Sequence, residues 1–162
     1  MNAIDLLTSQ HRMIEANMEK LQQGGMENWD AALFAEVADH LTVHIASEEQ
    51  VFYPAVKAKR TEDILLESLE EHLSLKRLLA DLLELDPSEQ TFEPKFKVLH
   101  EQTEHHHEEE EEHLFPKVTR ALDAAELEAL GDKMSGLQKS LRRRGSPRDA
   151  VSEQTDQAVA LK

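Results

Sequence analysis

The sequence predicts an all-α protein built as an up-down four-helix bundle, and three observations lead there. Gly and Pro number only five each among 162 residues, while charged residues make up 31%; this is the composition of a helical protein rather than of a sandwich or barrel. Apolar residues recur at helical spacing through four long segments, each opened by a capping signal. The segments fall into two similar pairs joined by short turns, and the length suits one domain with a single core.

Helix 1 is expected from about Asn2 to Gln23, with Ile4, Leu7, Met13, Ile14, Met18 and Leu21 facing inward. Gly24-Gly25 stops it, since glycine alone enters the left-handed region without penalty. Helix 2 starts at Asp30, where Trp29 and Phe34 can close a hydrophobic staple, and continues to about Lys59. Helix 3 opens near Thr61 and keeps Ile64, Leu65, Leu69, Leu75, Leu79 and Leu82 inward until Asp86-Pro87 breaks it. Helix 4 begins between Asp86 and Pro94, because Pro suits a first turn, and runs to about Leu122. A shorter helix follows from the capping box Asp123-Ala-Ala-Glu126 to near Arg144. Residues 1–144 are thus expected to form the domain. Residues 145–162 lack periodicity and read as a flexible C-terminal tail.

An internal repeat organises the chain. His44-Ile-Ala-Ser-Glu-Glu-Gln-Val-Phe-Tyr-Pro54 matches His106-His-Glu-Glu-Glu-Glu-Glu-His-Leu-Phe-Pro116, so that His44 pairs with His106, Glu48 with Glu110, Glu49 with Glu111 and Tyr53 with Phe115. The preceding helices repeat as well, with His11 corresponding to His72. Two helical hairpins of one design are implied.

The repeated pattern carries metal chemistry. In H-x-x-x-E on a helix, four residues advance the chain by about 400° and about 6 Å, which puts imidazole and carboxylate on one face a turn apart. Counting residues from the turns brings His11, His44, Glu48, His72, His106 and Glu110 into one slab, the heights of His11 and His44 differing by about 3 Å. Burying six such groups without a cation would leave costly unpaired polar atoms. Imidazole and carboxylate without sulfur suit iron, manganese or zinc, and two His on either side of two carboxylates suit a two-metal centre about 3.5 to 4 Å wide. Six ligands leave positions open for a small molecule. The acidic run Glu108 to Glu112 reads as a solvated face with Glu110 as the exception by register.

Composition narrows the alternatives. There is no Cys, hence no disulfide framework, thiolate site or Cys nucleophile. A formal charge of -15 repels phosphate backbones, so no nucleic-acid partner is expected; Arg142 to Arg144 read instead as positive charge at a helix C-terminus. No apolar run reaches the roughly 18 residues of a membrane span, and no signal segment opens the chain, so a cytoplasmic protein without membrane contact is expected.

On these residues the chain resembles the hemerythrin family, in particular the bacterial HHE cation-binding proteins: a His on the first helix, H-x-x-x-E-E-x-x-x-Y-P on the second, a His on the third, and H-x-x-x-E ending in Phe-Pro on the fourth. The resemblance covers about Asn2 to Leu122. It implies a non-heme di-iron centre of two iron ions, with Glu48 and Glu110 as bridging ligands and His11, His44, His72 and His106 as terminal ones. One departure is on helix 3, where oxygen-carrying hemerythrins place a second His one turn after the first and this chain has Lys76. Glu15, His107 or solvent could fill that position, Glu15 could instead pair with Lys76, and His40 and His113 are further candidates. The favoured expectation is a binding protein whose open metal positions take dioxygen, nitric oxide or a related small ligand for sensing, storage or protection. The alternative is a di-iron enzyme with oxidase or peroxide-decomposing activity; there Tyr53 adjoins the site, though its repeat-mate Phe115 suggests packing.

Overall fold

The computed structural model describes residues 1–58 and 60–162. Four rods form the bundle. The first is α1 (Ala3–Gly24), capped by Asn2, whose side chain accepts from the Asp5 amide. The second is α2 (Ala31–Ser47), a π-helical turn (Glu48–Phe52) and the short α3 (Tyr53–Val56). The third is α4 (Glu62–Glu84). The fourth is α5 (Phe92–Glu109), a second π-helical turn (Glu110–Leu114) and α6 (Phe115–Ala121). Among the described residues there is no strand.

Most caps fall where the sequence puts them. Asp30 accepts from the Leu33 amide, and the rings of Trp29 and Phe34 lie 5.4 Å apart, closing the staple. Asp123 and Glu126 exchange both capping-box hydrogen bonds at the start of α7 (Ala124–Arg143). The second rod ends earlier than expected, since Val56 is the last residue of α3 and Lys57 is already extended; Lys59 lies outside the described residues.

The two π-turns have a local cause. Pro54 and Pro116 each lack an amide hydrogen, and their rings would collide with the carbonyl four residues back. Widening the turn answers both: the amides of Tyr53 and Phe115 bond five residues back, to the carbonyls of Glu48 and Glu110. Each wide turn therefore begins on the Glu of an H-x-x-x-E pair.

Inward positions on α1 are Leu7, His11, Ile14, Met18 and Leu21, alternating three and four residues apart. Met13 falls off that stripe and is exposed, and Ile4 is half-buried, against expectation. Two apolar clusters fill the bundle. One joins Ile14, Met18, Leu21, Leu41, Leu79 and Phe96; the other joins Leu7, Phe52, Leu65, Leu114 and Met134. A slab of buried His and Glu separates them.

α7 packs against α1 and α2. Gly131 allows this approach, because a Cβ there would lie 2.2 Å from the Met1 carbonyl oxygen. The C-terminal tail differs from the expectation of flexibility. A 3-10 helix, Pro147–Gln154, lies over α2 and α4; Val151 is buried with Ile45, Leu75 and Leu79, Arg148 pairs with Asp39 at 2.8 Å, and Arg77 donates to the carbonyls of Thr155 and Asp156. Val151, the partly buried Ala158, Val159 and Leu161, and a few polar anchors hold a segment that has no helical period.

Candidate metal centre

The slab brings the six expected residues together. His11, His44, Glu48 and Glu110 each offer a ligand atom within 4.8 Å of the others, and so do Glu48, His72 and His106. Glu48 belongs to both groups. Its Oε1 is 3.5 Å from His44 Nε2 and 3.1 Å from His72 Nε2, while Glu110 Oε1 is 3.3 Å from His11 Nε2 and 3.4 Å from His106 Nε2. Each carboxylate thus lies between an imidazole of one hairpin and an imidazole of the other.

The imidazoles are oriented by a set of oxygens that obeys the internal repeat. The Nδ1 of His11 faces Glu111 (2.7 Å) and that of His72 faces Glu49 (2.9 Å); Glu49 and Glu111 are repeat-mates. The Nδ1 of His44 faces Gln10 (2.9 Å) and that of His106 faces Glu71 (2.8 Å); Gln10 and Glu71 are the residues just before His11 and His72. An oxygen partner at each Nδ1 turns the Nε2 of all four rings toward the slab, where deprotonation leaves a lone pair for a metal. His72 and His106 show the consequence: their Nε2 atoms approach to 3.0 Å, where two lone pairs repel unless a cation or proton lies between them.

The donor set fits a metal on this ground. His11 Nε2, His44 Nε2, Glu48 Oε2 and Glu110 Oε1 are buried without a hydrogen-bond partner, and such atoms are rare in proteins unless an ion or water completes them. Protonation compensates only in part. Burial and the charge of Glu110 raise the Glu48 carboxyl, whereas Glu110 stays well below the usual carboxylate range despite burial, because His106 and His11 supply positive charge. Burial lowers His11, but Glu110 and Glu111 outweigh it and hold its proton up to about 9. Burial keeps His44 neutral well below the ordinary imidazole range. Protons on His11 and His106 thus stand where cation charge would.

Three findings differ from the sequence reading. Lys76 does not pair with Glu15; its Nζ donates to Glu49 at 2.8 Å, making a buried Lys76–Glu49–His72 chain. Glu111 is more than a solvated residue, since it accepts from His11 and pairs with Arg12. Tyr53 does more than pack: its hydroxyl donates to Glu110 Oε2 at 2.7 Å and lies 3.3 Å from His72 Nε2.

Among the candidates for the position left by Lys76, His107 is fully buried, stacks on His11 at 3.7 Å and forms a three-imidazole group with His11 and His44. Neither of its nitrogens has a hydrogen-bond partner, and Glu15 lies 3.4 Å from Nδ1. Burial lowers it well below the ordinary imidazole range, which leaves a neutral, ligand-competent ring. A signal for this was available, since its repeat-mate Ile45 is an inward apolar residue. His113 is exposed and His40 half-buried, and neither joins a ligand group. Gln138 on α7 also escaped notice: it exchanges hydrogen bonds with Gln10 and donates to Ser47 Oγ, so the fifth helix steadies the oxygen that orients His44.

Comparison with known proteins identifies the family and the fold. The sequence model of the Hemerythrin HHE cation binding domain matches residues 2–118. An uncharacterized protein of Mycobacterium tuberculosis, Rv2633c, is 30% identical over 149 residues, covering 91% of this chain and 90% of that one. A protein of Nostoc named DNA nickase is 25% identical over 144 residues, but the chain spans only 41% of its length. Among solved structures, a hemerythrin HHE cation binding domain-containing protein, the Rv2633c homolog of Mycobacterium kansasii, superposes with a TM-score of 0.78 at 27% identity, covering 94% of this chain and 98% of that one.

Proposed function

The chain belongs to the hemerythrin HHE cation-binding family, and on that premise we propose that its slab holds a non-heme di-iron centre with coordination positions left for dioxygen, nitric oxide or a related small ligand. His11, His44, His72 and His106 would be terminal ligands, Glu48 and Glu110 would bridge, and His107 would add a third imidazole beside His11 and His44, across the slab from the position that Lys76 occupies beside His72. The observation that carries this reading is the convergence of four Nε2 atoms on two buried carboxylates, with Glu48 Oε2 and Glu110 Oε1 left without hydrogen-bond partners. Two irons would supply redox and small-ligand binding chemistry. The chain's own groups orient the histidines for ligation through Gln10, Glu49, Glu71 and Glu111.

One observation favours the enzyme as a second reading. Tyr53 holds a proton at Glu110 Oε2, inside the slab, where a peroxide-decomposing or oxidase activity would need a donor. Mixing the reduced, iron-loaded protein with oxygen and, separately, with peroxide decides between the two. A stable reversible adduct supports ligand binding, and rapid peroxide loss that Tyr53→Phe slows at least tenfold supports the enzyme.

The domain is proposed to span residues 1–144, with 145–162 as an accessory segment. Among the described residues no helix is long and apolar enough to cross a membrane. The net charge of -15 favours small-ligand over nucleic-acid binding, and a cytoplasmic location is part of the proposal.

A further inference from the structure

Buried polar atoms without partners are not confined to the slab. His100 Nε2, Thr103 Oγ1, Glu15 Oε2 and both nitrogens of His107 continue along the seam between α1 and α5. The repeat makes this seam anomalous. The residues of α2 corresponding to His100, Thr103 and His107 are Ala38, Leu41 and Ile45, all buried apolar. One hairpin therefore fills these inward positions with hydrocarbon, and the other with polar groups that cost free energy to bury unless something satisfies them.

At the outer end of the seam stands His100, 4% exposed. Its Nδ1 faces Gln22 Oε1 at 2.5 Å, so Nε2 carries the lone pair. That nitrogen looks toward two carboxylates: Glu104 Oε1 at 2.8 Å, out of line for a hydrogen bond, and Glu19 Oε2 at 3.9 Å. The three ligand atoms lie within 4.8 Å of one another. An ion with bonds of about 2.1 Å sets its ligand atoms roughly 3.0 to 3.5 Å apart, a spacing the two distances straddle. His100 and Glu104 form a further H-x-x-x-E pair, one turn apart on α5, and both carboxylates are half-exposed; Glu19 accepts from Gln23 through Oε1, which leaves Oε2 turned to His100.

We propose that His100, Glu104 and Glu19 form a second, single-ion site for a divalent transition-metal cation at the mouth of the α1–α5 seam, distinct from the central slab. One imidazole and two carboxylates suit zinc, manganese or ferrous iron, with solvent completing the coordination. Two acidic groups facing one imidazole lone pair leave a net negative charge that a cation neutralises.

Zinc binding by the full-length protein, counted by equilibrium dialysis and metal analysis, tests this. The double variant Glu19→Ala/Glu104→Ala should bind one zinc fewer per chain than the native protein, and His100→Ala should lose the same equivalent. The two carboxylates are exposed, so the double variant keeps its fold, which its unchanged metal-free melting temperature would register. Glu48→Ala/Glu110→Ala should instead lose central zinc and retain the outer equivalent, so that failure of the central reading is distinguishable. Equal zinc content in the native protein and the Glu19→Ala/Glu104→Ala variant would overturn the proposal.

Discussion

Glu49 and Glu111 are repeat-mates that do the same thing to different histidines, yet their removal should have unequal consequences. Each accepts from the Nδ1 of one ligand histidine, and loss of such a partner costs about 10- to 100-fold in metal affinity. Glu49 has a second duty. It is the ion-pair partner of Lys76, which is 3% exposed, and leaving one member of a buried pair uncompensated costs about 3 to 5 kcal/mol. For a chain of this size that lowers the melting temperature by about 6 to 20 °C. The permanently charged partner of Glu111 is Arg12, whose side chain is 58% exposed, so loss of that pair costs about 0 to 1 kcal/mol. Glu49→Ala should thus weaken metal binding and strongly destabilise the metal-free protein, while Glu111→Ala should weaken binding with a clearly smaller loss of metal-free stability. Adding Lys76→Met to Glu49→Ala should restore most of the melting temperature without restoring affinity, because His72 Nδ1 still lacks its acceptor. Chelator competition and thermal unfolding without metal give the two readouts. Equal destabilisation by the two single variants, or recovery of affinity in the double variant, would refute the reasoning.

Other consequences are testable with the same assays. His11 is raised to about 9 in the metal-free protein, so its proton stabilises the fold fully below the ordinary imidazole value of about 6.5, and that contribution is lost as pH rises through about 9. Metal must displace this proton; apparent affinity should therefore rise from pH 6.5 to 9 by up to tenfold per unit for each proton released, and a flat profile would contradict the assignment. Ending the chain at Gly145 should cost at least about 1.5 to 3 kcal/mol through loss of the burial of Val151 against Ile45, Leu75 and Leu79, seen as a lower melting temperature; an unchanged value would mean the segment is not held. Gly131→Ala drives a methyl into the Met1 carbonyl and should destabilise by about 1 to 3 kcal/mol in chemical denaturation.

The ligand register was legible in the sequence because it depends only on helical period and on the repeat: His44 and Glu48 share a face whatever surrounds them, and His106 with Glu110 repeats the geometry. Other features depend on tertiary contacts that no period encodes. His107 sits beside His106 and so cannot share its face; it reaches the slab because α1 brings His11 against it. Tyr53 reads as packing from its mate Phe115, and only the hydroxyl's position beside Glu110 gives it a polar task. Gln10 and Glu71 look like helix surface until the facing helix supplies an imidazole. Pro54 and Pro116 were visible as repeat markers, but the wide turns they impose follow from backbone hydrogen bonding across five residues. The C-terminal segment is held by Val151, Arg148 and the partly buried Ala158, Val159 and Leu161, whose spacing follows no helical or strand period.

The central claim is that two irons share Glu48 and Glu110. Anomalous diffraction from crystals of the iron-loaded protein, measured on both sides of the iron absorption edge, tests it most directly. The account predicts two peaks about 3.5 to 4 Å apart, one beside His11, His44 and His107 and the other beside His72 and His106, with both carboxylates between them. A single peak, or two peaks that do not share the carboxylates, would contradict it.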